Sequence, residues 1–193
     1  KKLSLKFIEW TLDFKKLHKN PILTKKGIKS IRLLSKKYNV KVESITGDCF
    51  MQKPFWKQKS KKVRINLLND LKKILVCASA LKIKYLIIPL VDNGSLKNEI
   101  QEKILINELI KFKKILKDNN LSILFETDFS PKKNFIFMKK FKSKNFGINY
   151  DIGNSASKNF KPQEELKHYG KYIKNVHVKD RKKFGNTVKL GTG

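Results

Sequence analysis

Short apolar, β-branched or aromatic segments alternate with longer segments of helical periodicity along the whole 193-residue chain, and this order limits the fold more than any other feature. Segments of the first kind predict buried strands, and segments of the second kind predict amphipathic helices. We predict strands at 7–12, 40–46, 85–91, 122–127, 147–151 and 175–178. We predict helices at 24–37, 61–81, 96–117, 131–141 and 162–172.

A strand, a crossover helix and a second strand, repeated in this way, imply parallel strands joined by right-handed βαβ units. Such units build either an open doubly wound sheet or a closed (β/α)8 TIM barrel. Nearly every predicted strand ends on or just before an ionisable residue, and only a barrel brings all of these ends to one mouth. We therefore favour the barrel. The ionisable residues are Glu9, Asp13, Asp48, Asp92, Glu126, Asp128, Asp151, His177 and Asp180.

The chain is short for a complete barrel. At a period of about 34 residues, eight units need roughly 270 residues, close to the usual barrel size of about 250. Six strands in 193 residues predict a single TIM-barrel domain over 1–193 that is incomplete and holds strands 2 to 7 of eight. We expect residues 1–193 on their own to be poorly active.

The formal net charge of +29 would ordinarily suggest nucleic acid or an anionic membrane as a partner. Only three of the 45 basic residues are arginine, however, and the lysines are spread along the chain rather than clustered. The accompanying Ile, Asn and Phe have AT-rich codons, so a biased genome accounts for this composition. We expect no specific nucleic acid partner.

No apolar run approaches the roughly 18 residues of a membrane helix, so we expect no membrane partner. Cys49 and Cys77 lie far apart, which indicates neither a zinc ribbon nor a disulfide framework. We expect a cytoplasmic protein. The sequence leaves a homo-oligomeric state open.

Three residues at predicted strand ends form a candidate metal site. Glu126, Asp151 and His177 are 25 and 26 residues apart, about one βα unit each. This spacing places them on adjacent strands at one level of the barrel, with functional atoms about 3–6 Å apart. Two carboxylates and an imidazole suit Mn²⁺, Mg²⁺ or Co²⁺, and Zn²⁺ is also compatible. The alternative for each residue alone is a solvated side chain or a helix cap.

The chain resembles the xylose isomerase-like TIM barrels, specifically their sugar phosphate isomerase/epimerase branch. The resemblance runs from Ile-Glu-Trp at 8–10 to Leu-Gly-Thr-Gly at 190–193, and its most specific motifs are Asp-Ile-Gly-Asn at 151–154 and His-Val-Lys-Asp-Arg at 177–181. It implies one divalent ion held by Glu126, Asp151, His177 and a second Glu. That second Glu is implied on the eighth strand, beyond Gly193.

The resemblance also implies a reaction. Isomerisation or epimerisation of a sugar or sugar phosphate removes a proton next to a carbonyl, and a divalent ion spreads the charge of the enediolate. Glu126 is implied as the acid/base that moves this proton. Asn154 stands where members that act on free ketoses often have a sugar-binding His, and it can bind a hydroxyl group.

Other residues are candidates for substrate binding from their position and chemistry. Arg181 suits an anionic group such as a phosphate, or is a surface arginine. Glu9 and Trp10, at a strand end, are candidates to line the barrel mouth, and Trp56 is a candidate for a lid that excludes water.

Two other functions stay open. A metal-dependent endonuclease that cuts DNA at abasic sites resembles the same scaffold, but it needs several metal ions and more histidines than the three in this chain. A carbohydrate-binding barrel without catalytic activity is the other alternative.

Overall fold

A computed structural model describes residues 4–193 and shows six parallel strands in one sheet, in the order β1-β2-β3-β4-β5-β6. Their bounds are Phe7–Thr11 (β1), Lys41–Thr46 (β2), Tyr85–Leu90 (β3), Ser122–Thr127 (β4), Phe146–Asp151 (β5) and Ile173–His177 (β6). Helices lie between successive strands, and the sheet curls into an incomplete (β/α) barrel. The predicted fold and all six predicted strands are confirmed, with ends that shift by at most two residues.

Eight α-helices are present in the described part of the chain. They are Lys25–Tyr38 (α1), Asp48–Gln52 (α2), Lys61–Ala80 (α3), Glu99–Ile110 (α4), Lys113–Asp118 (α5), Pro131–Lys139 (α6), Ile152–Ser157 (α7) and Pro162–Tyr169 (α8). Short 3-10 helices lie at Phe14–Lys19, Pro21–Leu23, Phe55–Lys57, Asp92–Gly94 and Gly170–Tyr172. Within residues 4–193, none of the helices has the length and apolar character needed to cross a membrane.

Three details of the secondary structure differ from the sequence prediction. The single helix expected at 96–117 begins only at Glu99 and is divided into α4 and α5. The short helices α2 and α7, which directly follow β2 and β5, were not predicted. A small antiparallel hairpin of Asp180–Arg181 (β7) and Thr187–Val188 (β8) follows the last barrel strand. These elements are short, so the periodicity of the sequence carries little signal for them.

Polar residues mark the beginnings of the long helices. The side chains of Thr24, Ser60 and Asn98 each accept a hydrogen bond from the backbone N–H three residues further on. These N-caps satisfy donors that the first turn of a helix leaves unpaired. Helix α1 ends at Tyr38 and is followed by the C-cap Asn39, whose φ of 53° is in the left-handed region that often terminates a helix.

The core lies between the sheet and its helices. Residues 86–90 of β3 and 123–125 of β4 are apolar and buried on both faces, as expected for parallel strands covered by helices. Helix α3 contributes one buried face at spacings of three and four residues. Its buried residues are Leu67, Leu71, Ile74, Leu75 and Ala78.

An aromatic cluster anchors α6 against β4 and β5. The rings of Phe125, Phe137, Phe141 and Phe146 are at most 1% exposed. Phe137 meets Phe125 and Phe141 edge-on, with ring centroids 5.2 and 5.3 Å apart. Since Phe125 directly precedes Glu126, this packing also fixes the end of β4 that carries a predicted site residue.

We expect Phe137→Ala to lower the free energy of unfolding by about 3–5 kcal/mol, because it removes a buried ring and leaves a cavity. Ile136→Ala is the matched control in the same helix, because Ile136 is 48% exposed. It should cost less than about 1 kcal/mol. Urea unfolding monitored by circular dichroism measures both values. Equal losses for the two variants would contradict the assignment of the cluster as core.

Candidate metal centre

A cavity of about 750 Å³ opens at the carboxyl ends of the barrel strands. Seven of the 16 acidic residues in the chain line it, although the chain as a whole carries a net charge of +29. They are Glu9, Asp48, Asp92, Glu126, Asp128, Asp151 and Glu165. The basic side chains on the wall are those of Lys158, Lys179 and Arg181, with His177 beside them. The cavity therefore concentrates negative charge within a basic protein.

Three strands bring the predicted metal ligands together. Asp151 and His177 end β5 and β6 and are direct partners in the parallel register, and Glu126 lies one residue before the end of β4. Each residue offers a ligand atom, and these atoms all lie within 4.8 Å of one another. The 25- and 26-residue spacing thus corresponds to a real cluster in the structure.

Two asparagines hold the carboxylate of Glu126 in place. Asn154 Nδ2 donates to Oε1 at 2.6 Å, and Asn149 Nδ2 donates to Oε2 at 2.9 Å. Asn149 is itself fixed, because its Oδ1 accepts a hydrogen bond from Asn175 Nδ2 at 2.8 Å. His177 Nδ1 lies 3.2 Å from Glu126 Oε2. The carboxylate of Glu126 is therefore ordered before any ligand binds.

Charges around the cluster shift the pKa values of its members. Burial alone would raise the pKa of Glu126, but the imidazole of His177 and the ammonium of Lys179 outweigh it and lower the pKa. Burial raises the pKa of Asp151, and Lys179 offsets this only in part. The adjacent carboxylates of Glu126 and Glu9 raise the pKa of His177 to about 10. At neutral pH the imidazole of His177 is therefore protonated.

Glu9 on β1 belongs to the same site, whereas its neighbour Trp10 does not line the cavity. Glu9 Oε1 lies 2.8 Å from His177 Nε2, and the carboxylate accepts hydrogen bonds of 2.6 Å from the hydroxyls of Ser44 and Thr46. Trp10 packs against the hydrophobic core, and its Nε1 donates to Asn20 Oδ1 at 3.1 Å. Successive side chains on a strand point to opposite faces, so Glu9 faces the cavity and Trp10 faces the helices.

The geometry fits a divalent cation. Asp151 Oδ2 and His177 Nε2 are buried and have no hydrogen-bond partner among residues 4–193, although Lys179 and Glu9 lie close to them. Each of these two atoms instead lies in an ion pair, Asp151 Oδ2 with Lys179 Nζ at 2.7 Å and His177 Nε2 with Glu9 Oε1 at 2.8 Å. Two carboxylates and an imidazole also match the donors that Mn²⁺, Mg²⁺, Co²⁺ and Zn²⁺ use.

Asn154 and Arg181 lie next to the cluster on the cavity wall. Asp151 caps α7, because its Oδ1 accepts a hydrogen bond from the backbone N–H of Asn154 at 2.8 Å. Arg181 Nη1 donates to Asn154 Oδ1 at 2.6 Å, and Nε and Nη2 donate to the carbonyl of Gly185. Within the described chain, the guanidinium forms no ion pair with a carboxylate. It is a positioned and uncompensated charge.

Sequence reasoning missed two residues of the centre, Lys179 and Asn149. Lys179 Nζ lies 2.7 Å from Asp151 Oδ2 and 3.9 Å from Glu126 Oε1. Both missed residues stand two positions from a predicted ligand, Lys179 after His177 and Asn149 before Asp151. Residues two apart on a strand share a face, so this alternation is a usable signal for Asn149 on β5, whereas Lys179 lies beyond the end of β6 and has no such signal.

Trp56 is also placed differently from its sequence expectation. Its side chain is 1% exposed, packs against Phe55 and donates to the carbonyl of Gly94 at 3.2 Å. Trp56 is therefore a core residue, and the expectation that it forms a lid is wrong.

A buried carboxylate supports the wall behind Asp151. Glu165 on α8 is 1% exposed and accepts hydrogen bonds from Tyr150 and Tyr169 at 2.8 and 2.6 Å, and from Ser155. Burial, and then the charge of Glu165, raise the pKa of both tyrosines. These bonds tie α7 and α8 to β5.

The chain is similar to known proteins in sequence family and in fold. The family model described as xylose isomerase-like TIM barrel matches residues 1–193. A xylose isomerase domain protein from Planctomyces limnophilus has a TM-score of 0.76 and 16% identity, covering 98% of this chain and 72% of that chain. No curated protein sequence matches the chain.

Two further solved structures share the fold. A D-tagatose 3-epimerase-like protein has a TM-score of 0.75 and 20% identity, covering 99% of this chain and 74% of that chain. A xylose isomerase-like TIM barrel protein from Mycobacterium smegmatis, in complex with magnesium, has a TM-score of 0.70 and 13% identity. The match covers 98% of this chain and 70% of that chain. At such identities the likeness shows the fold alone.

We expect Glu165→Ala to lower the free energy of unfolding by about 2–4 kcal/mol, because it leaves buried hydroxyls without an acceptor. Glu164→Ala is the matched control: Glu164 is exposed and lies in the same first turn of α8. Both variants lose the same favourable interaction with the helix dipole, so their difference reports the hydrogen bonds. Denaturant titration of the two variants measures it, and no difference would contradict a supporting role for Glu165.

Proposed function

The chain belongs to the xylose isomerase-like TIM barrel family, and from this premise we propose that it is a divalent-metal-dependent isomerase or epimerase of a sugar or sugar phosphate. The observation that carries the proposal is the convergence of Glu126, Asp151 and His177 within 4.8 Å at the carboxyl ends of adjacent strands. The cavity around them, about 750 Å³, has the size expected for a small-molecule site.

We propose that Glu126, Asp151 and His177 hold the ion. When bound, a divalent cation polarises a carbonyl oxygen and spreads the negative charge that follows loss of a neighbouring proton. The burial of Asp151 Oδ2 and His177 Nε2 in one cluster supports this assignment, as does the magnesium in the complex of the Mycobacterium smegmatis protein. Mn²⁺, Mg²⁺ and Co²⁺ suit the donor set, and Zn²⁺ is compatible with it.

Glu126 is the proposed acid/base. Its lowered pKa keeps the carboxylate ionised at neutral pH, so it can accept a proton from the carbon next to the substrate carbonyl. The amides of Asn149 and Asn154 hold this carboxylate in one orientation, which lowers the cost of aligning it with the reacting carbon. Return of the proton by Glu126 to the neighbouring carbon gives isomerisation, whereas delivery of a proton to the opposite face of the same carbon by a second acid gives epimerisation.

The remaining wall of the cavity suits a polyhydroxylated ligand. The carboxylates of Glu9, Asp48, Asp92 and Asp128 offer acceptors for sugar hydroxyls. On the other side, Arg181 supplies a guanidinium without a carboxylate partner in the described chain, and Asn154 positions it. We propose that Arg181 binds an anionic group of the substrate, such as a phosphate.

We expect Glu126→Gln in the full-length protein to keep the fold and lose at least about 100-fold in turnover, because the amide cannot accept a proton. The measurement is deuterium incorporation from heavy water into a panel of ketoses and ketose phosphates, after chelation and with Mn²⁺ restored. Glu99→Gln, at the beginning of α4 and away from the cavity, is the control and should exchange like the wild type.

Three outcomes would contradict the proposal. Undiminished exchange in Glu126→Gln would remove this residue from the mechanism. Full activity after complete metal removal would exclude the proposed role of the ion. Cleavage of DNA at abasic sites, with no exchange into any sugar, would favour the endonuclease alternative.

We expect Arg181→Gln to raise KM for a ketose phosphate by about 10- to 100-fold, because a charge-assisted pair to the phosphate is lost. KM for the corresponding free ketose should stay near the wild-type value. Arg64→Gln, on α3 and outside the cavity lining, is the control for a general loss of positive charge. An unchanged KM for the phosphorylated substrate would show that Arg181 only ties β7 to Gly185.

A further inference from the structure

Lys179 has an unusual place in the candidate centre. Its ammonium nitrogen lies 2.7 Å from Asp151 Oδ2 and 3.9 Å from Glu126 Oε1, so it faces two of the three predicted ligands. The side chain of Asp151 is only 2% exposed, whereas that of Lys179 is 32% exposed. The lysine thus brings its charge from the solvent-accessible wall to a buried carboxylate.

The backbone is shaped to admit this lysine. A Cβ atom on Gly153 would come within 2.6 Å of Lys179 Cγ and 2.7 Å of the Lys179 carbonyl oxygen. Real Cβ atoms do not approach other atoms so closely, so only glycine leaves room for Lys179 here. The absence of a side chain at Gly153, in the motif 151–154, therefore allows Lys179, in the motif 177–181, to pack against this segment. The close packing of the two motifs supports the contact between Lys179 and Asp151.

The contact leaves Asp151 only partly satisfied. Asp151 Oδ1 accepts the backbone N–H of Asn154 at 2.8 Å, but Oδ2 has no partner in hydrogen-bond geometry among the described residues. The ammonium of Lys179 supplies charge to Oδ2 without a directional bond. A buried carboxylate needs a compensating charge, and a bound cation can supply that charge in place of Lys179.

We propose that Lys179 is the exchangeable counter-charge of the metal centre: its ammonium neutralises Asp151 in the metal-free protein and withdraws from Oδ2 when a divalent ion binds. Both cations require the same carboxylate oxygen, and two positive charges at this distance repel each other. Lys179 is then a positioning residue, which keeps Asp151 in place for the ion and at the same time weakens the binding of the ion. This inference rests on the proposed metal site, although not on the identity of the substrate.

The test is isothermal titration calorimetry. The full-length protein is first freed of metal with a chelator and is then titrated with Mn²⁺ alone. We expect Lys179→Met to bind Mn²⁺ about tenfold more tightly than the wild type, because a competing positive charge is removed. Lys179→Arg keeps the charge and should stay within about threefold of the wild type. The rise in melting temperature on addition of Mn²⁺ should be larger in Lys179→Met than in the wild type.

Lys158→Met is the matched control, because Lys158 lies on the same cavity wall and forms no ion pair within residues 4–193. Its affinity for Mn²⁺ should equal that of the wild type. If Lys179→Met fails to fold, Lys179→Gln removes the charge and keeps a polar group beside Asp151, with the same tighter binding expected.

The results distinguish failure of the proposed role of Lys179 from failure of the proposed metal site. Equal or weaker binding of Mn²⁺ in the folded charge-removing variant would overturn the role of Lys179 and leave the metal site intact. Absence of Mn²⁺ binding in the wild type and in every variant would overturn both. A wild-type crystal structure with Mn²⁺ should show Lys179 Nζ more than about 4 Å from Asp151 Oδ2, the limit for an ion pair, and an unchanged contact would also contradict the inference.

Discussion

The parallel register of the barrel strands is the constraint on which the candidate site depends. Because all six strands run in one direction, their carboxyl ends meet at one rim, and the register sets Asp151 directly beside His177. A shift by one residue would turn either side chain to the opposite face of the sheet. The aromatic packing of Phe125 fixes the height of Glu126 in the same way. The hydrophobic core therefore determines where the charged atoms lie, although it contains none of them.

Bringing carboxylates together in this way has an electrostatic cost that the neighbouring side chains offset. Glu126 is compensated by amide donors and by the imidazole of His177, whereas Asp151 relies on one backbone N–H and on Lys179. The opposite pKa shifts of the two carboxylates follow from this difference, since burial is outweighed at Glu126 and only partly offset at Asp151. The least satisfied oxygen, Asp151 Oδ2, is thus the one best prepared to accept a cation.

The sequence predicts the barrel and the convergence of Glu126, Asp151 and His177 because both depend on local signals. The strands predicted from the periodicity agree with the observed strands, and the spacing from Glu126 to His177 corresponds to one βα unit between neighbouring residues of the cluster. The rest depends on tertiary contacts that no local pattern encodes. Glu165 is typical of a first helical turn, yet it is buried and accepts hydrogen bonds from Tyr150 on β5, Ser155 on α7 and Tyr169 on its own helix. Trp56 follows a loop-like Lys-Pro segment, yet it packs in the core because Phe55 and Gly94 enclose it.

The contact between Glu9 and His177 joins the two ends of the sheet. Glu9 lies on the first strand in the order and His177 on the last, yet their side-chain atoms are 2.8 Å apart across the cavity. Strands at opposite edges of a flat sheet could not meet, so this pair requires the curvature of a barrel. The hydroxyls of Ser44 and Thr46 orient Glu9 from the neighbouring strand. A cation that takes His177 Nε2 must replace the contact with Glu9, so occupancy of the proposed metal site would be linked to the position of β1 at the far edge of the sheet.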